Sequence, residues 1–133
     1  MNLAAIRNGM ADNLSTIPDI QVSPYMLSAP TPPAVHILPD TCEYDLAMRA
    51  GLHELTMMVQ IFVSITTDQG AQVLLDQYLA PTGAQSVKAA LEADRTLGGA
   101  CQDSHVQMFT YRQYPRPEGD PFLGADFTVQ VYT

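Results

Sequence analysis

Met57-Met58-Val59-Gln60-Ile61-Phe62-Val63-Ser64-Ile65-Thr66 alternates without a break. Met57, Val59, Ile61, Val63 and Ile65 fall on one side and Met58, Gln60, Phe62, Ser64 and Thr66 on the other, because successive strand side chains point to opposite faces. The spacing predicts a long strand with one uniformly apolar face. Phe62 and Met58 among the polar groups predict partial cover on the second face too. An apolar sheet face must be buried, and the flanking sequence offers helices to bury it.

Downstream, Asp68 is placed to cap a helix in which Ala71, Leu74, Leu75, Tyr78 and Leu79 form a stripe, ending at Pro81-Thr82-Gly83. Ser86 caps a second, shorter helix carrying Val87, Ala90 and Leu91. A turn at Leu97-Gly98-Gly99 feeds a strand near Cys101 to Arg112, where Val106, Met108 and Thr110 alternate with His105, Gln107 and Phe109. A Pro- and Gly-rich hairpin loop from Tyr114 to Pro121 leads to a last strand, Phe127 to Tyr132. Upstream, Leu3, Ile6, Met10 and Leu14 lie on one helical stripe, so residues 2 to about 15 form an amphipathic helix that Pro18 stops. Ile20 to Ser23 reads as a half-buried strand. Ser23 to Pro33 holds four prolines and reads as an extended loop or sheet edge. Ala34 to Leu38 is a short strand closed by Pro39. The order predicts an α+β fold: a two-layer sandwich, its sheet mainly antiparallel with four to five strands, and the N-terminal helix and central helix pair packed on one face. Residues 1–133 form a single domain.

Hydrophobic residues make up 47% of the chain and charged residues only 15%, against about 25% in ordinary soluble domains. So sparse a set of charges leaves part of the exterior to be covered by other subunits. Six Lys and Arg oppose fourteen Asp and Glu, for a formal net charge of -8. The basic residues Arg7, Arg49, Lys88, Arg95, Arg112 and Arg116 are scattered singly, which disfavours a grip on phosphate backbones. The segment Leu55 to Ile65 is interrupted by Thr56, Gln60 and Ser64, far short of the roughly 20 apolar residues that span a bilayer. The N-terminus has neither a basic leader nor a long apolar core, so synthesis in a cytoplasm and two free thiols, Cys42 and Cys101, are expected.

Chemistry-bearing motifs fail on inspection. His53-Glu54 opens like a zinc-protease motif, but the second histidine would have to stand where Met57 is. His36, Asp40, Cys42, Glu43 and Asp45 are metal-capable yet lack zinc-site spacing, and a solvated acidic turn is the simpler reading. Cys101 reads as a small buried thiol at a strand start. Leu97-Gly98-Gly99 precedes a strand instead of opening a helix and lacks the lysine of a phosphate loop, so its glycines serve a tight turn or a close neighbouring backbone. Met57, Met58 and Met108 read as core filling. Tyr111, Tyr114 and Tyr132 gather near the C-terminal hairpin, where an apolar ring with a polar tip suits an interface. No catalytic residue, metal or cofactor is expected.

Taken together, several segments resemble the tail terminators of long-tailed, siphovirus-type bacteriophages, especially those of actinobacterial hosts. They are Leu3-Ala4-Ala5-Ile6-Arg7, Pro32-Pro33-Ala34, the Val59-to-Ile65 strand running into Thr67-Asp68, Leu75 to Gly83, Ser86 to Glu92, and Thr96-Leu97-Gly98-Gly99. The similarity covers nearly the whole chain and rests on the order of short elements. It implies a hexameric ring at the tail-neck junction of the virion that caps the tail tube, stops its polymerisation and offers the head-tail joining surface. Implied partners are further copies of the chain, the major tail tube protein and a head-tail connector or stopper, with the genome passing through the channel unbound. Other neck rings, for head completion or stopping, share these features. A small ligand-binding or enzymatic α+β domain using the Asp40-to-Asp45 region is the reading from a different class.

Loops this long in a compact domain usually make contacts. Pro24, Tyr25, Pro30, Pro32 and Pro33 in the first, and Tyr114, Arg116, Pro117, Glu118 and Asp120 in the second, are the candidate contacts to neighbouring subunits or the tube. A channel that passes DNA should not hold phosphates by counterion release, so its wall should be neutral or acidic. Asp40, Glu43 and Asp45 are the candidate lumen acids.

Overall fold

The computed structural model describes residues 2–28, 32–45, 52–63, 69–115 and 121–133. Ile65, the Asp68 cap, and the loop candidates Pro30, Arg116, Pro117, Glu118 and Asp120 lie outside the described residues. The elements run α1 (Leu3–Leu14), β1 (Gln21–Ser23), β2 (Ala34–Glu43), β3 (Glu54–Val63), α2 (Gln69–Leu79), α3 (Val87–Leu91), β4 (Asp103–Tyr114) and β5 (Phe122–Tyr132). The fold is α+β. Its five strands form one open mixed sheet in the order β1-β2-β3-β5-β4, antiparallel throughout except for the short β1, which runs parallel to β2.

The alternation in β3 is expressed as the sequence predicts. Leu55, Met57, Val59, Ile61 and Val63 are buried on one face and pair across with Val131, Val129, Phe127, Ala125 and Leu123 of β5, also buried. These residues join Val35 and Ile37 of β2, Ile6, Met10 and Leu14 of α1, Leu75 and Tyr78 of α2, and Val87 and Leu91 of α3 in one hydrophobic core. The helices form for local reasons. Asn2 Oδ1 accepts the Ala5 N–H at 3.1 Å, and Ser86 Oγ accepts the Ala89 N–H at 3.0 Å, each satisfying a donor that the first helical turn leaves open. Ser86 also donates to the Ala80 carbonyl at 2.5 Å, tying α3 to the end of α2. Ser86→Ala should therefore lower stability by about 1–2 kcal/mol in a urea titration with the slope unchanged.

Leu97, Gly98 and Gly99 all take positive φ (54°, 72° and 89°), which makes the expected tight turn. The close backbone approach is made by a different glycine: a Cβ on Gly9 of α1 would overlap the Leu97 carbonyl oxygen and stand 2.8 Å from Leu97 Cβ.

Three expectations need correction. The second strand does not close at Pro39 but runs to Glu43, with a register shift between Pro39 and Thr41. β1 reaches only to His36, so beyond it one side of β2 has no described neighbour and a residue lacking an N–H is tolerated. Asp40 and Glu43 consequently lie on β2, with Asp45 alone in the bend that follows. In β4 the strict alternation breaks at a second shift: Val106 pairs with Val129 but Met108 with Thr128. Met108 is exposed and fills no core. The last strand begins at Phe122, five residues before the alternating run in the sequence.

Candidate interaction surfaces

The face of the sheet away from the main core carries its own cluster. Phe62 packs edge-on against His36 (centroids 4.9 Å apart) and Tyr114 (4.6 Å). Leu27 N–H donates to His36 Nδ1 at 3.0 Å, so Nε2 carries the ring proton and donates to Gln60 Oε1 at 2.6 Å. The Tyr114 hydroxyl donates to Asp126 Oδ1, while Arg112 Nε donates to Asp126 Oδ2 at 2.6 Å. Burial first, then the hydrogen bond and charge of Asp126, hold the Tyr114 phenol protonated far above its ordinary range. Tyr114, expected at a contact, is thus half-buried and its polar tip is used inside the subunit.

At the β1 edge the first proline-rich loop is tied at both ends. Arg7 Nη1 donates to the Pro24 carbonyl at 3.1 Å and to the Ile37 carbonyl at 3.0 Å, and its guanidinium lies over the Tyr25 ring at 4.8 Å. Ser23 Oγ donates to the Tyr25 carbonyl and accepts its N–H. With Leu27 held by His36, Tyr25 and Met26 project from a fixed backbone, 52% and 68% exposed. Pro24, Pro32 and Pro33 are half-buried, and the Pro33 carbonyl accepts the Gln21 N–H.

The opposite edge is β4, 12 residues long and, among the described residues, paired only with β5. Met108, Phe109 and Tyr111 are 53%, 46% and 47% exposed there. Phe109 and Tyr111, in register with Phe127 and Ala125, share the face that packs on the helices, while Met108, in register with Thr128, lies on the other face; exposed apolar side chains at an outer strand are a feature that partners often cover. Beside it Leu79, Pro81, Lys88, Val106, Gln107, Met108, Phe109 and Phe127 line a groove of about 410 Å³. Its two polar liners are engaged: Lys88 Nζ pairs with Glu92 at 2.6 Å, and Gln107 Oε1 accepts from Gln130 at 3.0 Å. The groove therefore behaves as an apolar one. Sequence reasoning picked out Tyr25 and Tyr111 but missed Met26, Phe109 and the groove, whose walls come from α2, α3 and β4.

Glu92 also accepts the Val106 N–H at 3.0 Å, pinning β4 to α3. Burial opposes its charge, but the Lys88 hydrogen bond, the Val106 N–H and the charges of Lys88 and Arg95 outweigh this, and its pKa falls below the ordinary value. A depressed carboxylate contributes stability that is present above its unfolded pKa and lost as pH falls through the folded one. The melting temperature should accordingly drop on acidification below the ordinary glutamate range, and Glu92→Gln should show a smaller part of that drop. Equal acid sensitivity in the variant would remove Glu92 from this role.

Cys101 is half-buried, and its thiol is raised by burial and by Asp103 and Asp94, which keeps it protonated. Among the described residues no three His, Cys, Asp or Glu form a metal-holding group, and no helix is long and apolar enough to cross a membrane. The candidate lumen acids Asp40, Glu43 and Asp45 are all exposed, at the far end of β2 and in the bend after it. No protein-family model matches the chain, and no curated protein matches it either.

Proposed function

We propose that this chain is a structural subunit of a closed ring, and specifically the tail terminator of a long-tailed bacteriophage. The observation that carries the ring is the pair of exposed apolar groups at opposite edges of one sheet, Tyr25 with Met26 at one and Phe109 with Tyr111 on one face of β4 at the other. Cyclic head-to-tail assembly requires two different complementary patches on each subunit. The low charge content supports the same reading, since part of the surface is then covered in the assembly. The resemblance of the Leu75-to-Gly83, Ser86-to-Glu92 and Thr96-to-Gly99 segments narrows the ring to a terminator.

The ring's role toward DNA is passive. Lys88, Arg95 and Arg112 are each paired with a carboxylate, and Arg7 with carbonyl oxygens, so these four cations are engaged within the subunit. A short duplex should show no measurable binding by fluorescence anisotropy at low ionic strength, where attraction is least screened. Tight, salt-sensitive binding would favour a DNA-holding neck component instead. The ring assignment is tested by tagging the chain and imaging purified particles: the label should sit at the tail-neck junction, in the copy number of a hexamer. Label elsewhere, or none in the particle, contradicts it.

A further inference from the structure

We propose that His36 is an acid-sensitive latch: the neutral imidazole holds the loop that presents Tyr25 and Met26, and proton uptake by the ring releases that loop at Leu27. The latch is a property of the single subunit and does not depend on the ring reading.

The tautomer is dictated by a group that cannot change its role. A backbone N–H only donates, so Nδ1, 3.0 Å from the Leu27 nitrogen, must offer its lone pair. The ring proton then sits on Nε2 and faces Gln60 Oε1 at 2.6 Å, which turns the Gln60 amide nitrogen toward Met58 Sδ at 3.5 Å. This network needs a neutral ring. An imidazolium donates from both nitrogens, so its Nδ1–H would meet the Leu27 N–H as two donors with no acceptor between them. His36 is only 4% exposed and the Phe62 ring packs edge-on against it, which leaves little access for water to bridge the pair. Charging the ring therefore breaks the Leu27 bond. The loop yields before the strand does, because His36 stands in β2 between Ser23 of β1 and Gln60 of β3.

The charges around His36 do not replace that bond. Its neighbours Ser23 on β1 and Met58, Gln60 and Phe62 on β3 do not titrate. Asp126 of β5, in register with Gln60, is engaged by the Tyr114 hydroxyl and by Arg112 of β4. On β2 itself Asp40 is exposed beyond Pro39. Arg7 of α1 donates to the Pro24 carbonyl and lies over the Tyr25 ring, a cation that opposes a second positive charge nearby. Arg7 and Ser23, which tie Pro24 and Tyr25, keep their protonation between about pH 8 and 5, where histidines change charge. Release is therefore confined to the chain after Tyr25. Met26, 68% exposed, is presented on a fixed backbone when His36 is neutral and on a loosened one when it is charged.

The test follows the wild-type protein by NMR from about pH 8 downward until the domain unfolds, with nitrogen-15 in the histidine rings and the backbone. Neutral His36 should show its proton on Nε2. As the ring takes up a proton, the exchange protection of the Leu27 amide, corrected for intrinsic rate, should fall about tenfold with the same midpoint, while that of Val59 in β3 holds. In His36→Asn the amide oxygen can accept the Leu27 N–H and does not titrate, so protection should no longer follow pH; if that variant does not fold, the wild-type titration decides alone. Leu27 keeping its protection after His36 is charged overturns the latch. So does a His36 that stays neutral until global unfolding, or a neutral ring with its proton on Nδ1.

Discussion

Replacing Ile61 by Asp will leave no soluble folded protein. Ile61 is fully buried at the centre of the sheet, paired with Val35 on one side and Ala125 on the other. The substitution forfeits about 1.5–3 kcal/mol of apolar burial. It also places an unpaired carboxylate where nothing can hydrogen-bond it, a penalty of several kcal/mol more. Domains of this size are stable by roughly 5–15 kcal/mol in total, so the sum consumes most or all of the margin. Ile61→Val should lose only about 0.5–1.5 kcal/mol and remain folded. Soluble yield and circular dichroism of the pair check the prediction; a folded Asp variant would mean that the β3 register is wrong.

Gly124→Ala will be strongly destabilising but still folded, although it adds a single methyl group. Gly124 pairs with Phe62 and Arg112, and a Cβ there would overlap the Ile61 carbonyl oxygen and stand 2.7 Å from Tyr114 Cε2. The Tyr114 ring can rotate, but the Ile61 carbonyl belongs to the neighbouring strand, so β3 and β5 must separate locally. Overpacking of this kind typically costs about 1–3 kcal/mol, and a backbone clash puts this case at the upper end. Tyr114→Ala combined with Gly124→Ala should recover little, because the ring is not the main obstacle. Urea denaturation of the wild type and the two variants measures this; a Gly124→Ala midpoint equal to wild type would contradict the close strand approach.

What the sequence makes legible follows from how local each signal is. The β3 face could be read because its aliphatic residues repeat every second position without interruption. The Ser86 cap and the Leu97-Gly98-Gly99 turn could be read because their chemistry lies within a few residues. β2 beyond Pro39 could not, since only the sheet order reveals that this part of the strand has a side with no described neighbour. The first half of β5 was hidden because Gly124 and Asp126 are poor strand formers. Their reasons for being there are tertiary: one admits the Ile61 carbonyl, the other accepts from Tyr114 and Arg112. Nothing local marks the shift between Val106 and Met108, and without it Met108 looks like core.

The candidate site divides along the same line. Tyr25 stands in a proline cluster, so its candidacy as an exposed contact is a local signal, and it is exposed in the fold. The groove is assembled from Leu79, Pro81, Lys88 and the Val106–Phe109 segment, brought together only by the packing of α2 and α3 beside β4. The candidate lumen acids illustrate the converse case: Asp40, Glu43 and Asp45 are close in sequence, yet two of them belong to a strand and one to the bend after it.

The central claim is that this chain ends a growing tail tube, and the most direct measurement is tail length in particles assembled without it. Electron micrographs of a phage whose copy of this gene carries an early stop codon should show tubes of uncontrolled, excessive length beside unjoined heads, with normal length and joining restored when the intact chain is supplied separately. Tails of normal length joined to heads in its absence would contradict the account.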